Sequence, residues 1–475
     1  MKQISAILDQ LDTALLGTFP DAAGLRQFTY RLPEQPHGGM LEWLDAQPCY
    51  PKFYWQQRDD AEEVVLCGDA ANFSDMPAAQ RFLQQYPDFP ELRVWGLNAF
   101  NDGMGGTQAS HALFLPRIEI TRRDGQCSLR CQLYSPVSLR EEADKMRAFL
   151  RTLVNSRPLP ALKSQVVRYQ HLPTQPQWAR MIDAVLSGIK QNQFDKVVLA
   201  RKTTLALSQP LNPASFLAAS RAVNHHCYHF MLAFAPQQAF LGSSPERLFL
   251  REKRQLFTEA LAGTVAAADD HQQARVLGQW LLNDPKNQRE NMLVVDDICQ
   301  RLQGGARSLD VMPAEILRLR KVQHLRRSIQ AVLAKADDAD CLQRLQPTAA
   351  VAGLPRQAAR EFIARHEPFD RQWYAGSAGY LSLTRSEFTV ALRSAAVKGS
   401  QLELFAGAGI VAGSDAAQEW LEIENKAAGL RTLLDEGRAR PSPPSRNILS
   451  YLPCGRVKSG SPESIHAIIT SYRHV

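Results

Sequence analysis

The spacing of apolar and polar positions changes several times along the chain, and each rhythm predicts an element. Near the N-terminus, "MKQISAILDQLDTALLG" repeats its apolar residues at helical spacing but is interrupted by Asp9 and Asp12, which predicts an amphipathic helix and not a signal peptide. The stretches "EVVLCG", "RVWGLNAF", "ALFLPRIEITRR" and "CSLRCQLY" read as strands, and an Asp-Gly pair at 124–125 turns the third into the fourth. Residues 139–155, "LREEADKMRAFLRTLVN", return to helical spacing. A proline-punctuated connection follows, then a second helix over 177–190.

From residue 194 the apolar runs are longer and often hairpin-like: "KVVLARKTTLAL", "HFMLAF", "AFLGSS", "RLFLREKRQLFTEAL", "AGYLSLTRSEFTVAL" and "AAVKGSQLELFAG". Helices alternate with them less regularly than in βαβ units. The pattern predicts an α+β fold of antiparallel sheets with helices outside. Three regions follow: 1–160, a first half of mixed elements; 161–436, the body; and 437–475, rich in Pro, Ser, Gly and Arg, which reads as a poorly ordered tail.

Composition narrows the function classes. No window approaches 18 uncharged apolar residues, so no membrane span is expected. Eight scattered cysteines, the closest pair being Cys127 and Cys131, fit reduced thiols in a cytoplasmic protein. The formal charge is +7, but residues 437–475 hold six Lys/Arg against one acid. The body is therefore close to neutral, which argues against a nucleic-acid surface. A polyanion-binding protein acting through its basic tail remains the contrasting class.

Candidate chemistry begins at "FAGAGIVAGSDAAQEWLEIENKAAGL", residues 405–430. Its glycines at 407, 409 and 413 sit one residue too long for a dinucleotide fingerprint, and no second strand follows. Asp415 and Gln418 predict a capped helix starting at Ala416. On that helix Glu419, Glu422 and Lys426 share one face. A solvated face is the ordinary reading of such a pattern. The glycine turn beside it instead lets a ligand approach, and carboxylates there suit a hard cation such as Mg²⁺. A second acid group lies in "NDPKNQRENMLVVDDI": Asp284 caps a helix with Pro285 in its first turn, Glu290 falls on it, and Met292, Val295 and Cys299 offer a buried stripe.

Taken together, the blocks "FDKVVLAR" (194–201), "GSSPERL" (242–248), "EALAGT" (259–264), "NDPKNQREN" (283–291), "VQHL" (322–325), "LQPTAAVAGLPR" (345–356), "YAGSAGY" (374–380), "TVALRSA" (389–395) and "GAGIVAGSDAAQEWLEIENK" (407–426) resemble the chorismate-utilising enzymes. The resemblance implies an anthranilate synthase large-subunit-like fold, with two large antiparallel sheets packed face to face and helices outside. It makes 1–160 the variable N-terminal half and 161–436 the chorismate-binding region. It also implies that Glu290 and Glu422 hold Mg²⁺ against the ring carboxylate, with Glu419 behind them. Arg393 and Lys426 would bind the enolpyruvyl carboxylate. His324 would lie beside the ring, and Gly263, Thr264, Ala349, Tyr374 and Gly407 would line the pocket, Gly407 because a side chain there would meet substrate. Alternation in "TVALRSA" puts Arg393 on the opposite face from Val390, Leu392 and Ser394.

Two positions bear on the nucleophile. Lys196 stands among apolar residues in "KVVLA", where desolvation favours a neutral amine able to activate water; without the resemblance it reads as an edge-strand charge. Relatives using ammonia typically carry Gln there. The lysine that attacks the ring in aminodeoxychorismate synthases is replaced here by Ala262. Glu246, after Pro245, is the expected general acid. The resemblance thus points to an isochorismate synthase, with the menaquinone type favoured over a siderophore-pathway enzyme or a salicylate synthase. No glutaminase subunit, nucleic acid or membrane partner is expected, and the chain is expected to act as a monomer or weak homodimer.

Overall fold

The computed structural model describes residues 2–33, 39–101 and 111–435. The tail 437–475 lies outside the described residues. Every strand pairing among the described residues is antiparallel.

Two sheets emerge when the pairings are followed. In the first, strand Gly24–Leu32 pairs with Gln126–Ser135, and order then runs through His111–Arg123, Glu62–Phe73, Lys52–Gln56, Tyr228–Ala235, Gln238–Ser244, Ser394–Lys398 and Gln401–Ile410 to Lys196–Leu207. In the second, Val94–Asn98 leads through Ser377–Leu381, Arg385–Val390, Arg247–Glu252 and Gln255–Ala266 to Val322–Leu333. The long strand His111–Arg123 belongs to both, pairing with Val94–Asn98 at its start and Gln126–Ser135 at its end. The expected turn between these last two strands is present, with Asp124 and Gly125 both left-handed as a two-residue hairpin requires.

The sheets join at a second place, and this one positions the site. Strand Gln238–Ser244 leaves the first sheet, passes Pro245 and Glu246, and enters the second as Arg247–Glu252. Beside it the chain makes the reverse passage, from Arg385–Val390 through 391–393 to Ser394–Lys398. The two passages are tied together. The Val390 amide donates to the Glu246 carbonyl at 3.1 Å, and the Ser243 amide to the Arg393 carbonyl at 3.1 Å. With His111–Arg123, these crossings close a circuit of strands around an aromatic core of Phe53, Trp55, Trp95, Tyr228 and Tyr380.

Period-two alternation explains the packing. In Lys52–Gln56, Phe53 and Trp55 face the cluster between the sheets, while Tyr54 faces an outer cluster; Val64 and Leu66 divide from Val65 and Cys67 in the same way. The outer cluster is covered by helices Lys2–Ala14, Met40–Ala46, Leu139–Leu150 and Pro213–Val223. Helices Gln175–Lys190, Pro285–Leu302 and Arg356–His366 join the inner one.

Two local expectations need correction. On helix Pro285–Leu302 Val295 is buried as expected, but Met292 is exposed and Cys299 half-buried; the buried apolar residues are Val294, Val295, Ile298 and Leu302. The strand drawn through "TVALRSA" does not exist as one element either. It stops at Val390, and Arg393 has φ 45°, in the left-handed region. Alternation cannot continue across a sheet crossing.

Candidate active site

A cavity opens at the crossings, its empty space about 630 Å³ when the solvent at its mouth is included. Lys196, Glu246, Gly263, Thr264, Glu290, His324, Tyr374, Arg393, Gly407, Glu422 and Lys426 line it. Of the residues expected there, Ala349 is fully buried and its amide donates to the Asp297 carboxylate at 3.2 Å; Ala350 and Val351 take its place on the wall. Glu419 lies in an adjoining cleft that shares Thr264, Glu290, Gly409 and Glu422 with the cavity.

Each wall has a local cause. Strand Gln255–Ala266 slips register against Val322–Leu333 between Leu261 and Thr264. Gly263 occupies this bulge at φ 91°, a conformation open to glycine. Helix Pro285–Leu302 pins it: the Asn291 side-chain amide lies 3.0–3.2 Å from the carbonyls of Ala260, Ala262 and Leu325, and Asn287 accepts the Thr264 amide at 3.1 Å. The cap that starts this helix is as expected, Asp284 accepting from the Asn287 amide. Helix Ala416–Asp435 also starts where expected, with the Asp415 carboxylate accepting from the Ala417 and Gln418 amides.

The cationic side is formed by Lys196, Arg393 and Lys426. Lys196 begins strand Lys196–Leu207, buried, with Nζ 3.2 Å from Glu290 Oε1. Its neighbours are therefore not only apolar, as the sequence suggested. Lys426 Nζ lies 2.6 Å from Glu422 Oε1 and donates to the Gly407 carbonyl at 2.9 Å. Arg393 donates from Nη2 to His324 Nε2 at 3.1 Å. No carboxylate among the described residues pairs with it, which leaves a half-buried guanidinium facing the cavity.

That contact fixes the histidine. Arginine only donates, so His324 Nε2 accepts and Nδ1 carries the proton, 3.0 Å from Thr264 Oγ1. Burial, then Arg393 and Lys426, hold the imidazole well below its ordinary pKa. Neutral His324 donates to Thr264, whose own hydroxyl proton is left to point elsewhere.

The acids divide into two kinds. Burial, then the Glu259 carboxylate, pushes Glu246 up to about 8 against Lys196, Arg393 and Lys426. Burial, then Glu422, also pushes Glu419 up to about 8, with Glu290 adding to the effect and Lys286 opposing it. Among the described residues no three His, Cys, Asp or Glu already stand in ligating geometry. The all-oxygen donor set of Glu290, Glu422 and Glu419 fits a hard divalent cation, whose charge would relieve their mutual repulsion.

Sequence reasoning passed over Gly409. A Cβ there would lie 2.7 Å from Lys196 Cε and 2.9 Å from Glu290 Oε1, so the bare backbone makes room for that pair. Gly407 is constrained by protein before substrate: its Cβ would meet the Tyr374 hydroxyl at 2.6 Å and the Leu199 carbonyl at 3.2 Å. The sequence reading put both glycines in a turn, but they lie within strand Gln401–Ile410, paired with Ala200 and Val198. Arg58 and Glu259, which bracket Glu246, were missed as well.

Residues 22–435 match the chorismate binding enzyme family, and the chain belongs to it. It is 53% identical over 434 residues to the isochorismate synthase MenF of Escherichia coli, covering 91% of this chain and 99% of the relative. The solved structure of that menaquinone-specific enzyme matches with a TM-score of 0.87, over 91% of this chain and all of the other. Anthranilate synthase component I from Streptococcus pneumoniae shares the fold, with a TM-score of 0.60 at 18% identity, over 87% of this chain and 93% of that one. Among the described residues no helix is long and apolar enough to cross a membrane.

Proposed function

We infer that this chain is an isochorismate synthase of the menaquinone type, converting chorismate to isochorismate by adding water at C2 with loss of the C4 hydroxyl. The observation that carries this reading is one cavity holding a buried lysine, a proton-retaining acid and an unpaired arginine. The high identity to a menaquinone-specific relative supports the pathway.

The substrate brings two carboxylates. Arg393 and Lys426 bind the enolpyruvyl carboxylate. The Glu290 and Glu422 carboxylates would hold Mg²⁺, with Glu419 behind them, and the bound ion would supply positive charge for the ring carboxylate. Lys196 takes a proton from the attacking water. Glu246, protonated at neutral pH, gives its proton to the departing C4 oxygen, so that water leaves as the ring double bonds shift. One turnover leaves Lys196 protonated and Glu246 ionised, the pair of states needed for the reverse reaction. Ala262 on the cavity wall has no nucleophile to offer the ring.

Thr264, with its hydroxyl proton free, and Tyr374 contact the ring substituents. The test is product identification: chorismate incubated with the protein and Mg²⁺ should give isochorismate. Salicylate with pyruvate would replace this reading by a salicylate synthase. No turnover would favour a binding protein.

A further inference from the structure

Glu246 is placed by its backbone, since it sits between two strands of different sheets. Both neighbouring peptide units are gripped from outside the cavity. Arg58 Nη1 donates to the Pro245 carbonyl at 2.9 Å. The same guanidinium grips Glu259, Nη1 to Oε1 at 2.6 Å and Nη2 to Oε2 at 2.9 Å. Glu259 Oε1 in turn accepts the Arg247 amide at 2.8 Å. Residues 245 and 247 are thus fastened to a single ion pair, with Glu246 between them. Glu259 is buried and Arg58 nearly so.

We propose that the Arg58–Glu259 pair is the positioning device for Glu246: it clamps the peptide units on both sides of the acid and keeps one fixed negative charge beside it. The inference rests on Glu246 serving as the general acid. A bidentate guanidinium–carboxylate pair suits the task, because its fork fixes direction as well as distance. Burial opposes charge on Glu259, but Arg58 and the Arg247 amide outweigh it, and its pKa lies below the ordinary value. It therefore stays ionised while Glu246 does not. The charges facing Glu246 are Glu259 from strand Gln255–Ala266, Lys196 from Lys196–Leu207, Arg393 from the crossing and Lys426 from helix Ala416–Asp435. Glu259 is the only anion among these four, so removing it lets the three cations dominate.

The test uses the full chain. Glu259→Gln keeps an acceptor for the Arg247 amide but removes the charge, and the double variant Arg58→Met with Glu259→Gln leaves no lone buried ion. Glu246 acts protonated, so activity falls as pH rises through its pKa. Losing the Glu259 charge should move that alkaline limb of kcat to lower pH by about one unit or more, with KM changed much less. Arg58→Lys keeps the charge but loses the fork; kcat should fall about tenfold with the limb in place. Carbon-13 titration of Glu246 in the free protein should show the same downward movement without any turnover. If both charge-removing variants fold, by circular dichroism, and keep the wild-type limb and the wild-type Glu246 titration, the proposal is overturned. A wild-type protein forming no isochorismate would instead remove the functional reading, and the titration would still report on the pair.

Discussion

Glu246 and Glu419 are both buried acids pushed up to about 8, yet their surroundings differ in kind. Glu246 is opposed by three cations and raised by burial and by one ionised carboxylate, itself paired with Arg58. Glu419 is raised by Glu422 and Glu290, which face the cavity and the cleft beside it, with Lys286 as the opposing charge. The first arrangement favours a protonated carboxyl, with burial and Glu259 outweighing the three cations. The second gathers three carboxyl groups on one wall, two of them in contact with Lys196 and Lys426, and its oxygens would suit a divalent ion. On the proposed function, equal pKa values would mark a proton donor in one place and a cation site in the other.

Chelation should separate them most sharply. Treatment with EDTA is expected to abolish isochorismate formation, with Mg²⁺ restoring it, and Glu422→Gln should lose calorimetric Mg²⁺ binding together with activity. Activity that survives chelation would contradict the cation reading of the second group. Glu246→Gln should lower kcat by about 10²- to 10⁴-fold while Mg²⁺ binding stays at the wild-type level; a parallel loss of binding would erase the distinction. Gly409→Ala, at the Lys196–Glu290 contact, should cost about 1–3 kcal/mol in denaturant unfolding through overpacking and reduce kcat as the pair is displaced. The smallest effect is expected from ending the chain after residue 436: the family match closes at residue 435, and kcat and KM should be unchanged.

Much of the site could be read from sequence because its residues sit in short blocks where local rules hold. Asp284 with Pro285, and Asp415 before Ala416, mark helix starts that place Glu290 and Glu422. The misses have a common physical origin. Arg393 was assigned a strand face because residue types do not reveal a left-handed backbone at a sheet crossing. Arg58 stands 201 positions from Glu259, and no local pattern links them. Met292 was taken as buried from spacing alone, whereas a helix at the margin of a core turns only part of its apolar surface inward.

The closed circuit of strands also bears on how the molecule is made. Lys52–Gln56 pairs with Tyr228–Ala235, and Val94–Asn98 with Ser377–Leu381, so partners wait through long stretches of synthesis. The ring cannot seal until residues near 390 have left the ribosome, and until then its early strands present open edges. Neither half is expected to fold alone, because each leaves strand edges whose partners lie in the other.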